Sequence, residues 1–269
     1  MKREVQKSGR FFIRVSVLGL FALARLPLDQ PLDAAAGGQQ ATVNHPTTLT
    51  GDLVIAKLLE RNRQREALLQ QYSVPSTYRV KNDKGTVCAE AQVVLRYRAP
   101  DTKEFTIVSE KGSAIIRSRV FKPLMEIEVE TAAGRNRYDS SVTPDNYNFK
   151  LLGEEDVDGA HCFVVQTTAK RADKCLFNGK AWIHATEFAF VRVAGQPAKN
   201  PSVWIKRVEF VRRYQKIKEF WLPLKNESIT QVRIFGKNIL TIDYDQYEIT
   251  QVGGAVFRLV AELPRARGR

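Results

Sequence analysis

An α+β chain that is mostly antiparallel β is the fold class this sequence predicts, and three observations predict it. Between residues 147 and 249, short runs rich in Val, Ile, Phe, Tyr and Trp recur: 147–153, 161–169, 180–186, 188–194, 203–214, 219–235 with a break, and 239–249. Turn signals separate them at Asp158-Gly159, Asn178-Gly179, Gly195-Gln196-Pro197 and Gly236-Lys237-Asn238. Several runs alternate: Leu240, Ile242 and Tyr244 oppose Thr241, Asp243 and Asp245, while Trp204, Val208 and Phe210 share a face with Lys206 and Arg212. Helical spacing is confined to two stretches, so the connections are too short for parallel crossover units.

The elements follow in order. Lys2, Arg3, Lys7 and Arg10 precede an apolar run from Val15 to Ala24, the layout of a secretory signal peptide. Ala22-Leu23-Ala24 and Ala34-Ala35-Ala36 both suit cleavage, and no Cys follows either for lipid attachment. Arg14 and Arg25 bracket the run and keep it short of the roughly 20 apolar residues of a membrane span. Residues 1–36 therefore read as a signal peptide and 37–51, small and polar, as a linker. From Asp52 the spacing of Leu53, Val54, Ile55, Leu58, Leu59, Leu68, Leu69 and Tyr72 predicts a helix that Pro75 ends. Strands are expected over 87–97 and 104–109. Ile116, Val120, Leu124 and Ile127 make a helical stripe over 113–131, although Ile127 to Glu130 alternates like a strand and Pro123 strains a helix interior. The segment from Gly134 to Tyr147 is turn-rich. One folded domain is expected over 52–252, followed by a basic tail at 253–269.

The 269 residues, 43% hydrophobic and 26% charged, can bury a sizeable core. The net charge is +13, and +10 without residues 1–36, which predicts attraction to anionic partners. Export favours an anionic membrane surface over nucleic acid, even though Lys206, Arg207, Arg212, Arg213, Lys216 and Lys218 interleave with Trp204, Phe210, Tyr214, Phe220 and Trp221. In strands that pattern also arises when one face packs and the other is solvated. Of three cysteines, Cys162 and Cys175 flank an expected hairpin and could form a disulfide; three small buried hydrophobes are the equal alternative.

The chemistry of catalysis is not legible. His45, His161 and His184 lack partners at metal-ligand spacing, and the adjacent His161 and Cys162 would point to opposite strand faces. No nucleophile elbow, zinc-protease helix or phosphate-cradling glycine loop is present. The acidic run Glu154-Glu155-Asp156-Val157-Asp158 lacks calcium-loop spacing and reads as a solvated hairpin. A strongly curved sheet with an apolar inner face, incompletely covered by helices, would leave room for an acyl chain.

The run Asn146-Tyr147-Asn148-Phe149-Lys150-Leu151-Leu152-Gly153 leads through Asp158-Gly159 to Cys162-Phe163-Val164-Val165. Gly179-Lys180-Ala181-Trp182-Ile183-His184, Phe220-Trp221-Leu222-Pro223 and Asp243-Tyr244-Asp245-Gln246-Tyr247 follow in order. This succession resembles the LolA/LolB-like outer-membrane lipoprotein-sorting superfamily, in a divergent bacterial branch, over about residues 52–250. The resemblance implies an incomplete, half-open β-barrel, a strongly curved sheet covered by helices, with 113–131 one of them. It further implies a soluble, periplasmic, non-enzymatic monomer without cofactor. Such a protein would shelter lipid acyl chains or lipoproteins, or else serve as an envelope sensor or scaffold binding a protein; a lipid-directed hydrolase is the third alternative, opposed by the missing nucleophile–base pair. Trp182, Trp204, Phe210, Trp221, Ile242 and Tyr244 are the residues expected to face the core or ligand cavity.

Overall fold

The computed structural model describes residues 49–201, 205–232 and 236–253, and the backbone of 256–258. The signal peptide, most of the linker, Trp204 and most of the tail lie outside these residues. Thr50 caps the first helix, α1 (Gly51–Leu68), its side chain accepting from the Leu53 amide at 3.2 Å. Gly51, Val54, Ile55 and Leu58 are its buried face, spaced one helical turn apart. Gly51 is required there: a Cβ would lie 2.9 Å from the Leu151 amide nitrogen, so the helix start could not sit so close to the sheet.

The helix stops at Leu68, short of the predicted end at Pro75, because the chain changes period. Tyr72, Val74, Ser76, Tyr78 and Val80 are buried at every second position, making a strand, β1 (Leu69–Asn82). Pro75 lies inside this strand without breaking it. The partner of β1 changes there from β11 (Glu248–Gln251), paired as far as Ser73, to β10 (Gly236–Tyr244), paired from Ser76. The Pro75 carbonyl accepts from the Asp245 amide at 2.9 Å in the gap, and the missing donor faces the same gap.

The other strands are β2 (Val87–Arg98), β3 (Thr102–Gly112), β4 (Tyr147–Val157), β5 (Ala160–Ala169), β6 (Phe177–His184), β7 (Phe190–Pro197), β8 (Ile205–Ile217), β9 (Phe220–Val232) and β12 (Val256–Arg258). All pair antiparallel in one twelve-stranded sheet. From one edge the order is β3-β2-β1-β10-β9-β8-β7-β6-β5-β4, with β11 and β12 continuing beside the first half of β1. The sheet is an incomplete barrel: β3 and β4 are its two open edges, and no strand among the described residues joins them.

Helical structure over 113–131 is present as α2 (Ala114–Ile116), a wider π turn (Arg117–Phe121) and α3 (Lys122–Glu130) in one continuous stretch. Pro123 falls in the first turn of α3, where it costs no hydrogen bond within that helix. A short helix, α4 (Gly134–Ser140), occupies part of the segment expected to be turn-rich.

Two apolar clusters fill the helix-covered face. One joins β1, β2, β9, β10 and β11 to Phe121, Leu124 and Met125. The other joins β5 to β8 and Tyr147 to Val54, Ile55 and Leu58 of α1. Between them runs a polar seam: buried Arg212 donates to Asn226 Oδ1 at 2.7 Å, and Asn226 Nδ2 donates to the Tyr244 hydroxyl at 3.1 Å. The predicted sharing of a face by Phe210 and Arg212 is therefore observed. Lys206 departs from it and is exposed, because the β8–β9 register shifts between Ile205 and Arg207.

All three cysteines are free thiols. The bridge between Cys162 and Cys175 that the hairpin suggested is not formed. Cys162 pairs with His184 at one end of β5, while Cys175 lies beyond Ala169 at the other. The seven residues from Cys162 to Ala169 span roughly 23 Å at the rise of a strand, far beyond disulfide reach.

Candidate functional site: a cavity between two cores

A cavity of about 120 Å³ opens where the two apolar clusters meet. At about 30 Å³ per water in the liquid, that is space for roughly four waters. Leu69, Tyr72, Phe220 and Leu222 reach it from the first cluster, and Leu58, Val142, Val193 and Tyr214 from the second, so it sits at the seam of the two clusters, under the C-terminal half of α1. Leu59, Tyr97, Phe190, Trp221 and Pro223 complete an apolar lining.

Register explains the gathering. Tyr72 and Tyr97 are directly opposite on β1 and β2 and stack with ring centroids 5.1 Å apart. On the other side the pairing shifts after Trp182, so Phe190 pairs with Ile183 and Val193 with Ala181. That shift keeps both cavity residues of β7 on one face despite their odd spacing. Burial pushes the Tyr214 phenol up to about 12, against the pull of Arg212 beside it, so this wall is uncharged at neutral pH.

Polar groups border the lining. Asn62, Arg65 and Glu66 come from the last turns of α1, Lys103 from β3, and Arg137 and Ser140 from α4. Lys103 pairs with Glu128 of α3 at 2.9 Å, the two side chains only 7% and 13% exposed, and Arg137 pairs with Glu66 at 3.1 Å. Glu187, in the β6–β7 turn, ties the site together. Its carboxylate accepts from the Trp221 indole at 2.9 Å and the Lys216 ammonium at 2.8 Å, and its carbonyl accepts from Arg65 at 2.6 Å. Burial works against this carboxylate, yet the bonds from Lys216 and Trp221 hold it below the usual range, so it stays charged.

The residues singled out from the sequence are dispersed. Trp221 lines the cavity. Phe210 is buried in the second cluster edge-on to Phe177, and Ile242 and Tyr244 are buried in the first. Trp182 pairs with Val164 and Arg192 and packs with Val157, Cys162 and Val191 in a small separate cluster, its indole donating to Glu155 at 3.0 Å. Trp204 lies outside the described residues. Burial pushes the Cys162 thiol up to about 11, so it is protonated and unreactive at neutral pH. The acidic run expected as a loop belongs largely to β4, where Asp156 and Glu154 grip His161 at 2.8 and 2.7 Å. Of the cavity residues that reasoning from sequence missed, Tyr72 sits at a misassigned helix end, Tyr97 is brought in by pairing opposite it, and Phe190 and Val193 flank a bulge. Strict alternation gives no sign of these.

An open antiparallel sheet with an apolar cavity under partial helical cover defines the class of site. A family model described as "-like: Uncharacterized protein" matches residues 138–251. No curated protein matches significantly. Among solved structures, a DUF1329 family protein from Desulfovibrio piger is 15% identical, with 76% of this chain and 95% of that one covered and a TM-score of 0.40. A domain from Vibrio parahaemolyticus assigned as an outer membrane lipoprotein-sorting protein is 12% identical, with 75% and 93% covered and a TM-score of 0.40. A LolA superfamily protein from Nitrosomonas europaea is also 12% identical, with 74% and 93% covered and a TM-score of 0.35. Among the described residues, no helix is long and apolar enough to cross a membrane.

Proposed function

We propose that this chain is an exported envelope protein that shelters an apolar chain, from a lipoprotein or another lipid, in the cavity between its two cores. The observation that carries this reading is the lining: Leu58, Tyr72, Val193, Tyr214, Phe220 and Leu222 surround open space instead of filling it. Apolar side chains around a void forgo both contacts and burial, so an occupant of matching chemistry gains what the empty site lacks. The space suits a segment of one chain, and further entry would require α1 to shift. The basic surface is suited to an anionic membrane from which such a ligand is collected or to which it is delivered. No nucleophile and base enter this reading; binding and release are the whole chemistry.

The test is direct. The purified full chain is extracted with organic solvent for mass spectrometry, then titrated with a fluorescent fatty acid. Copurified lipid or saturable binding is expected, with Leu222→Trp, which fills the cavity, reducing it. A ligand-free protein that ignores the probe would overturn the reading.

A second reading, a sensor or scaffold that docks a protein, draws on the open edge strand β3. Ile107 and Val108 are half exposed or more there. It predicts a stoichiometric partner from an envelope extract, lost on Val108→Lys, with no lipid in the protein.

A further inference from the structure

Three cations border the cavity, and two of them are neutralised: Lys103 by Glu128 and Arg137 by Glu66. Arg65 differs. Its guanidinium donates to the Glu187 carbonyl at 2.6 Å, the Phe188 carbonyl at 3.3 Å and the Asn62 side-chain oxygen at 3.3 Å, all neutral acceptors. The nearby Glu187 carboxylate is committed to Lys216 and Trp221. Among the described residues Arg65 forms no ion pair, although it is only partly exposed. Burial pulls its pKa down from the ordinary value, with the charges of Glu187 and Glu219 opposing. A partly buried guanidinium whose hydrogen bonds all go to neutral acceptors keeps an attraction for an anion placed beside it.

Resting on the lipid-binding reading above, we propose that the occupant is a single-chain amphiphile with a carboxylate headgroup, its chain in the cavity and its headgroup on Arg65. The residues on either side of Arg65 support this division. Leu58 and Leu59, up to two turns earlier on α1, line the apolar part, and Leu69 lines it beyond the helix end. An amphiphile lying along this stretch meets grease and then charge. Neutralisation by the headgroup would also remove the unpaired charge, so ligand and helix α1 stabilise each other.

The experiment compares decanoate, decanol and decylamine binding to the full chain by isothermal titration calorimetry at low salt. A charge-assisted hydrogen bond predicts decanoate binding roughly tenfold or more tighter than decanol, and decylamine weakest. The preference should shrink as salt is raised. Arg65→Gln should abolish the preference, so that decanoate and decanol bind alike, and Arg65→Lys should restore part of it. Equal binding of decanoate and decanol to the unmodified chain would overturn the headgroup assignment alone, as would an undiminished preference in Arg65→Gln. If none of the three ligands bound, the cavity reading itself would fall with it.

Discussion

Phe121, Leu124 and Met125 seal one half of the sheet from a helical stretch whose far end is tied to β3 by the Lys103–Glu128 pair. Val54, Ile55, Leu58 and partly buried Leu59 cover the other half from α1, whose C-terminal turns are held by polar ties: Arg65 to the β6–β7 turn and Glu66 to Arg137 of α4. The first cover places a fully buried aromatic against Tyr78, while the second places only aliphatic side chains of a single helix. The difference predicts distinct roles: the half under α2 and α3 as the scaffold, and α1 as the cover whose displacement costs least.

Stability measurements can break this comparison. Phe121→Ala should cost the most, about 4 kcal/mol in urea denaturation, because it empties a site with no exposed edge into which the core can relax. Lys103→Met should follow at about 3 kcal/mol, since it leaves Glu128 buried without its partner. Leu58→Ala should cost about 2 kcal/mol, the low end for a buried leucine, with hydrogen exchange speeding in α1 before it speeds in β1 or β9. Equal losses for Phe121→Ala and Leu58→Ala, or uniform exchange, would erase the distinction between scaffold and cover.

The smallest effect concerns His161, on a hairpin remote from both covers. The hydrogen bond to Asp156, then that to Glu154, raises its pKa above the usual 6.5 against a small opposing effect of desolvation. A raised folded-state value means a contribution to stability that is full below about pH 6.5 and lost as pH rises through the folded pKa. Titration of the imidazole protons by NMR should give a midpoint above that of a model peptide. The small loss of stability with rising pH should vanish in His161→Ala.

The strands from residue 147 onward were legible because turn residues and alternation agree there, and the structure starts β4 at Tyr147 and β5 within one residue of its predicted start. The first half was harder. Leu69 and Tyr72 continue the helical spacing by coincidence, and only the pairing of β1 with three other strands overrides it. Pro75 looked like a terminator, yet it marks the gap where two partner strands meet end to end. The expected apolar, helix-covered face is present, but which aromatic residues reach the cavity depends on bulges at Trp182 and Arg213, and these are products of long-range pairing. Trp221 was legible from its place beside Phe220 and Leu222. Arg65 was not, because on the sequence it is one more charge on a polar helix face.

In a closed barrel the number of strands and their stagger fix the interior, so a larger ligand requires a different barrel. Here β3 and β4 never meet, and the interior is bounded by helices laid on the sheet. Its capacity can therefore drift by lengthening, shortening or truncating the side chains of α1, without disturbing a single strand pair. One sheet can thereby frame interiors of different size through changes confined to the 18 residues of α1.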